Sequence, residues 1–141
     1  TPQEFALSQL EAYPLLTSRG ENTPLAEQKE KAFSFYQNGQ YSEALAVFES
    51  MFSSPDAGQT SDDIRMYYAD CLSLTGKYPE AADQYQRLRD SDYYDAAEWR
   101  LVMVLILNNE SAEARYILES ITKNSLHYKH AEAVALLKKM E

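Results

Sequence analysis

The sequence has few glycines and prolines, a single cysteine and no long apolar run. Its 141 residues include 4 glycines and 5 prolines, which excludes collagen-like and low-complexity sequence. The single cysteine, Cys71, excludes an internal disulfide. The longest unbroken apolar run, Leu101 to Leu107, has seven residues, far below the ~20 of a membrane-spanning helix. A chain of this length can still bury a core, so we expect folded protein.

Positive charge is also scarce. There are 13 lysines and arginines against 22 aspartates and glutamates, which gives a formal net charge of −9 and a pI near 4.7. Nucleic acids and anionic membranes attract basic surfaces, so this balance opposes both as direct partners of the domain. No glycine-rich phosphate loop and no Gly-x-Ser-x-Gly motif occurs. We therefore expect no catalytic residue and no cofactor.

The sequence does contain a series of short amphipathic segments separated by turn signals. Thr1-Pro2-Gln3-Glu4 has the pattern of a capped helix start, and this first helix should end near Tyr13-Pro14. A polar connector completes an N-terminal unit over 1–23, and Thr23-Pro24 caps the next helix. Almost nothing alternates with the period of a strand. The sequence predicts an all-α fold, with further helices at about 24–38, 42–53, 61–75, 79–90, 93–107, 111–123 and 127–140.

Three groups of residues recur at nearly constant spacing along these segments. The offset is 37 from residue 39 to residue 76, and 33 from residue 76 to residue 109. Each group joins a turn residue, a small residue and a large apolar residue: Gly39, Ala44, Phe48; Gly76, Ala81, Tyr85; Asn109, Ala114, Leu118. Glycine enters the left-handed backbone region freely, and asparagine tolerates it best among the other residues. Periods of this size with two helices per unit are typical of helical solenoids.

Residues 25–123 resemble the tetratricopeptide repeat family. The resemblance rests on Gly39-Gln40-Tyr41 and Gly76-Lys77-Tyr78 in the turns, followed by the alanine and aromatic positions, while the third copy lacks the glycine and the turn aromatic. It implies a right-handed α-solenoid over 24–141, with helix pairs at about 25–58, 62–92 and 93–123. Because terminal repeats need a cap, the helix at 127–140 should cover the last pair through Ala131, Val134 and Leu137.

The resemblance also implies a mode of action, because the first helices of such repeats line a concave surface that binds proteins. Aromatic residues and methionine suit such a surface, since they give large contact area at low entropic cost. The alternative is that several of these side chains belong to the core. By analogy, nine residues should line this surface and hold a protein or peptide segment: Lys29, Phe33, Tyr36, Met66, Asp70, Ser73, Trp99, Met103 and Ile106.

Other candidate features have simpler interpretations. The run Leu101–Leu107 fits a first helix buried between its neighbours better than a strand or an exposed binding stripe. His127 and His130 lie three residues apart on the predicted last helix, and no further ligand has metal-binding spacing, so we expect surface histidines and no metal site. Cys71 lacks a neighbouring group that would lower its pKa, so we expect a small buried hydrophobe rather than a nucleophile.

These observations favour a non-catalytic scaffold for protein interaction. The alternative is a structural or self-associating part of a longer protein. A second resemblance concerns location: Phe5, Tyr13-Pro14 and Arg19-Gly20-Glu21 resemble the start of bacterial envelope proteins that carry such repeats after a membrane anchor. It implies an apolar stretch of about 20 residues upstream of Thr1 and a periplasmic domain, with a cytoplasmic domain as the alternative.

Overall fold

The protein is built from α-helices in a computed structural model that describes residues 1–14, 25–55 and 61–141. The all-α prediction is confirmed, since these residues contain helices and no strand. The predicted Thr23-Pro24 cap and the Arg19-Gly20-Glu21 segment lie outside the described residues. The helices of the described ranges are α1 (Pro2–Gln9), α2 (Ala26–Gln37), α3 (Tyr41–Ser53), α4 (Asp62–Leu74), α5 (Tyr78–Gln86), α6 (Tyr94–Leu107), α7 (Ser111–Thr122) and α8 (His130–Lys139).

Consecutive helices pack against each other to form a repeat solenoid. The pairs are α2 with α3, α4 with α5 and α6 with α7, and neighbouring pairs meet through α3 with α4 and α5 with α6. The small and large residues that recur in the sequence are all fully buried between these helices: Ala44, Ala81, Ala114, Phe48, Tyr85 and Leu118. The repeat boundaries at 25–58, 62–92 and 93–123 stay a prediction.

Each first helix of a pair ends in the same left-handed turn. The φ angles are +74° at Gly39, +82° at Gly76 and +61° at Asn109, as the sequence predicts. After α2, the N–H of Gln40 donates to the carbonyl oxygen of Phe35 at 2.9 Å, and the matching bonds after α4 and α6 are both 2.8 Å long. These bonds satisfy carbonyl groups that the end of each helix leaves without a partner.

α6 lies in the interior of the solenoid. Residues 101–106 are all buried and Leu107 is half-buried, because α6 packs against α5, α7 and α1. A stretch of helix surrounded in this way has no polar face, which explains the continuous apolar run in the second half of α6. The buried-helix interpretation of Leu101–Leu107 is therefore confirmed, and the strand and exposed-stripe alternatives are wrong.

α1 begins as predicted but ends early. At its start, the Thr1 hydroxyl accepts a hydrogen bond from the Glu4 N–H at 3.1 Å, which forms a capping box. The helix ends at Gln9 rather than near Tyr13-Pro14, and Leu10 is extended (φ −72°, ψ 112°). Pro14 disfavours a helical conformation at the residue before it. The main chain of residues 10–14 instead binds side chains of other helices.

Two other helix limits also differ from expectation. α5 ends at Gln86 rather than near residue 90, because residues 87–90 continue in turns. α8 begins at His130 rather than at 127, because the residues before it form turns, one of them closed by the His127 N–H on the Asn124 carbonyl oxygen at 3.1 Å. Short turns at helix ends carry the same residue types as the helix, so the sequence pattern extends beyond the helix itself.

The last helix covers α7 through a different face from the predicted one. Ala133 and Leu136 are the buried residues of α8. Ala131 is exposed, whereas Val134 and Leu137 are half-buried. Leu137 packs against the core as expected, whereas the expectation for Ala131 is wrong, because the most buried face of α8 is centred on Ala133 and Leu136.

Ala81→Leu is expected to lower the free energy of unfolding by about 1–3 kcal/mol, since the larger side chain must fit between closely packed helices. Ala81 is fully buried. Urea denaturation followed by circular dichroism measures the difference. The control is Ala135→Leu, at an exposed position of α8, which should change the free energy by less than about 0.5 kcal/mol. Equal stability of Ala81→Leu and the parent would contradict the repeat register.

Candidate functional site

The side of the solenoid formed by α2, α4 and α6 is covered by residues 1–14, which we call the N-terminal segment. Its helix α1 packs against α6. Ala6 is fully buried, and the Phe5 ring meets Trp99 edge-on with ring centres 6.2 Å apart. Beyond α1, residues 10–14 contact all three of these helices without forming a helix of their own. The groove is the set of side chains that contact the N-terminal segment from these helices: Tyr36, Tyr67, Asp70, Trp99 and Arg100.

The main chain of Tyr13 is bound on both sides. Its N–H donates to Oδ2 of Asp70 at 2.8 Å, and the Tyr36 hydroxyl donates to its carbonyl oxygen at 2.7 Å. The same hydroxyl lies 3.0 Å from Asp70 Oδ2, so its single proton serves two acceptors. Tyr36 belongs to α2 and Asp70 to α4. One residue of the segment therefore connects two helix pairs.

Two further main-chain carbonyls of the segment accept hydrogen bonds from the groove. Arg100 Nη2 donates to the Glu11 carbonyl oxygen at 3.3 Å, and the Tyr67 hydroxyl donates to the Pro14 carbonyl oxygen at 3.3 Å. Pro14 has no N–H, so no donor is left unpaired at that position. Glu11 and Pro14 are themselves exposed. The groove thus binds the backbone at these two positions and leaves their side chains in solvent.

The ring of Tyr13 is half-buried against the groove and against Tyr93, which lies just before α6. Its centre lies 5.8 Å from the Tyr93 ring, 6.4 Å from the Tyr67 ring and 5.4 Å from the Arg100 guanidinium carbon. Edge-to-face ring contacts and a cation over a ring face are both favourable. Together these neighbours form a three-sided site for an aromatic residue.

Asp70 connects the groove to the core of the solenoid. Its side chain is 1% exposed. Besides the Tyr13 N–H and the Tyr36 hydroxyl, it contacts the Tyr85 hydroxyl at 2.6 Å and Arg100 Nε at 3.3 Å, both through Oδ1. A carboxylate has acceptor positions for four donors, whereas a protonated acid carries a proton that would itself need an acceptor. The Asp70–Arg100 pair is therefore ionised.

Burial is the largest influence on the pKa values of this cluster. It raises the pKa of Asp70, and the Arg100 guanidinium and the hydrogen bonds from Tyr85, Tyr13 and Tyr36 oppose that rise. Burial lowers the pKa of Arg100, but the Asp70 carboxylate together with nearby tyrosines outweighs it, and the net shift is upward. Burial and then the Asp70 charge raise the pKa of Tyr36 and Tyr85. Both hydroxyls therefore keep their protons and remain donors.

Comparison with protein families identifies the repeats. The tetratricopeptide repeat model matches residues 35–100. These residues are therefore similar to tetratricopeptide repeats. Such repeats generally mediate protein–protein interaction, and the family is typically a non-catalytic scaffold. No curated protein matches the chain significantly. In the described part of the chain, no helix is both long and apolar enough to cross a membrane.

The structure buries all nine residues that the sequence predicts for the concave surface: Lys29, Phe33, Tyr36, Met66, Asp70, Ser73, Trp99, Met103 and Ile106. Tyr36, Asp70 and Trp99 contact the N-terminal segment. Lys29 forms an ion pair with Asp63 at 3.2 Å. The N-terminal segment accounts for part of the burial of Tyr36, Asp70 and Trp99, because it covers this side of the solenoid. Binding of a partner by the nine residues stays a prediction.

The remaining members of the predicted set pack inside the solenoid. Met66, Met103 and Ile106 have no exposed surface. The Phe33 ring lies edge-on to Tyr67, with ring centres 5.0 Å apart. Ser73 shares a hydrogen bond of 2.8 Å with the buried Tyr85 hydroxyl. These contacts are those of core residues, and they set the positions of the groove side chains above them.

Two groove residues, Tyr67 and Arg100, are absent from the predicted set. They occupy the same position in successive repeats, 33 residues apart, immediately after Met66 and Trp99. A signal for them exists in the sequence, because Arg100 directly precedes an apolar run and Asp70 interrupts another. Buried charges need partners of opposite sign, so opposite charges beside apolar runs on two neighbouring first helices indicate a buried pair.

The expectation of surface histidines is wrong for His127, which is buried in the turn before α8, while His130 is half-buried. Nδ1 of His127 accepts the Lys129 N–H at 3.1 Å, so Nε2 carries the ring proton and faces Glu98 Oε1 at 3.3 Å. With Asp95, these groups have potential metal ligands within 4.8 Å of one another. A metal ion needs a free lone pair on the histidine nitrogen, and a protonated Nε2 offers none. The contact instead connects the turn to α6.

Cys71 has the environment expected of a small hydrophobe. It is fully buried in α4. Burial, followed by the nearby Asp70 charge, raises the pKa of its thiol. Only the thiolate is nucleophilic, so a thiol that is kept protonated and away from solvent is unreactive.

Tyr36→Phe is expected to lower the free energy of unfolding by about 1–3 kcal/mol, since it leaves the partly buried Tyr13 carbonyl without its donor and keeps the ring packing. Urea denaturation followed by tryptophan fluorescence measures the change. The matched control is Tyr116→Phe, because Tyr116 is 76% exposed. It should change the free energy by less than about 0.5 kcal/mol. If the two variants are equally stable, the Tyr36–Tyr13 hydrogen bond does not hold the segment.

Proposed function

We propose that the chain is a non-catalytic interaction scaffold whose groove binds an extended protein segment through its main chain. One observation carries the proposal. Four side chains from three helices make hydrogen bonds to main-chain atoms of Glu11, Tyr13 and Pro14. Main-chain groups are common to all proteins, so a groove that binds them can accept a segment of another chain. The family's general role in protein interaction supports the same function.

In this proposal, the N-terminal segment is an intramolecular occupant of the groove. A covalently attached segment has an effective concentration in the millimolar range, so an outside partner must compete with it. The uncleaved chain should therefore bind partners more weakly than a chain whose segment is released.

The ionisable groups of the groove support a role in binding rather than catalysis, because Asp70 and Arg100 are paired with each other and with hydrogen-bonding neighbours.

The test detaches the segment after the chain has folded. A recognition sequence for a site-specific protease is inserted between residues 15 and 24, and the purified full chain is then cleaved. We expect the N-terminal fragment to dissociate reversibly on dilution, and a fluorescent peptide of residues 1–14 to bind the cleaved chain, as measured by anisotropy. Tyr36→Phe in the cleaved chain should weaken this binding about tenfold, since one hydrogen-bond donor is lost.

Failure of the fragment to dissociate reversibly would show that residues 1–14 belong to the core. If the fragment stays bound at any dilution, or leaves only as circular dichroism shows the remainder unfolding, the groove does not accept segments and the proposal is wrong. The control is the uncleaved chain with the same insertion, which should keep its segment and bind the peptide weakly. Tyr116→Phe in the cleaved chain should leave peptide binding unchanged.

Self-association through the same contacts is the second candidate. Ten residues, 15–24, connect the N-terminal segment to the first repeat, and a chain of that length spans at most about 33–36 Å. The segment of one copy could then fill the groove of another, which would join two copies of the longer, membrane-anchored protein that the sequence resemblance implies. Light scattering over a range of concentrations separates the candidates, because exchange gives a concentration-dependent dimer and an intramolecular occupant gives a monomer.

A further inference from the structure

We infer, on the basis of the proposed function, that the partner's segment carries an aromatic residue followed by proline, in the arrangement that Tyr13-Pro14 presents to the groove. The main-chain hydrogen bonds give affinity without selecting a sequence. Selection must come from the side-chain positions that the groove encloses and from the backbone shape that it requires. The contacts of residues 11–14 define both.

The half-buried position of Tyr13 selects an aromatic ring through its contacts. Tyr67, Tyr93 and Arg100 all contact the Tyr13 ring, with ring-centre or guanidinium distances of 5.4–6.4 Å. An aliphatic side chain would fill part of this space but would lose the edge-to-face and cation–ring contacts. A lysine or arginine would bring a like charge to Arg100. The contacts engage the ring rather than the hydroxyl, so phenylalanine should serve as well as tyrosine.

The following position favours proline for a conformational reason. The N–H of Tyr13 reaches Asp70 and its carbonyl reaches Tyr36, which bind it from two different helices. Proline biases the residue before it towards an extended backbone, so it prepares the aromatic residue for both bonds. Pro14 itself provides a carbonyl to Tyr67 and has no N–H to leave unpaired.

The flanking positions are less selective. Glu11 is exposed and provides its carbonyl oxygen to Arg100, so many side chains fit there. Ala12 is half-buried against the core, which favours a small residue. The expected signature is therefore any residue, a small residue, an aromatic residue and proline, in that order.

The experiment measures competition in the protease-cleaved full chain, with the fluorescent peptide of residues 1–14 as probe. Unlabelled peptides of the same 14 residues compete with it. Tyr13→Phe should bind within about twofold of the parent peptide, and Tyr13→Ala at least about tenfold more weakly, as expected for loss of an enclosed aromatic anchor. Pro14→Ala should weaken binding about twofold to fivefold, because it restores freedom to the unbound peptide. Gln3→Ala is the matched control, because Gln3 is exposed, and it should bind like the parent.

The possible failures are distinguishable. If the parent peptide competes but Tyr13→Ala competes equally well, the inference is wrong and the proposed function stands. If no peptide competes, including the parent, the proposed function itself is wrong. A random peptide library selected on the cleaved chain then tests the partner directly. Enrichment of aromatic-Pro pairs supports the inference, and enrichment of sequences without them overturns it.

Discussion

A buried carboxylate needs hydrogen-bond donors and a counter-charge, and Asp70 obtains them from four separate elements of this fold. Its donors are the Tyr13 N–H of the N-terminal segment, the Tyr36 hydroxyl of α2 and the Tyr85 hydroxyl of α5, and Arg100 of α6 provides the counter-charge. An unpaired buried charge costs several kcal/mol, so each donor is required once the carboxylate is buried. Through Asp70, the position of the N-terminal segment depends on the packing of the repeats. The burial of the groove depends in turn on the segment.

This dependence has a functional meaning, because the groove recognises its occupant mainly by backbone atoms. Tyr36, Tyr67 and Arg100 all donate to carbonyl oxygens of the segment, and Asp70 accepts from its N–H. A surface of pure hydrocarbon packing would be specific to one sequence, whereas backbone recognition with one enclosed ring leaves most positions free. The residues that bind the N-terminal segment are therefore the same residues that a competing segment would have to bind.

The repeat could be predicted from the sequence, because each of its landmarks requires a particular residue type at a particular place. Gly39 and Asn109 reveal left-handed turns, and Ala81 reveals a close helix contact. The occupied groove could not be predicted in the same way. Tyr13 and Asp70 are 57 residues apart, and a bond between a main-chain N–H and a distant carboxylate leaves no periodic pattern. Repeat phase predicts which face of a helix lines the groove, but it does not predict what covers that face.

Hydrogen exchange of the Tyr13 amide, measured by nuclear magnetic resonance on the intact chain, tests the central claim most directly. That amide lies outside any helix, so its protection can arise only from the bond to Asp70 and the burial around it. The structure predicts exchange slowed by at least about a thousandfold relative to an unstructured peptide, because exposure of the amide requires release of the segment from the groove. Exchange at the rate of an unstructured peptide would contradict the account, since the groove would then be open and its buried charge pair without a main-chain partner.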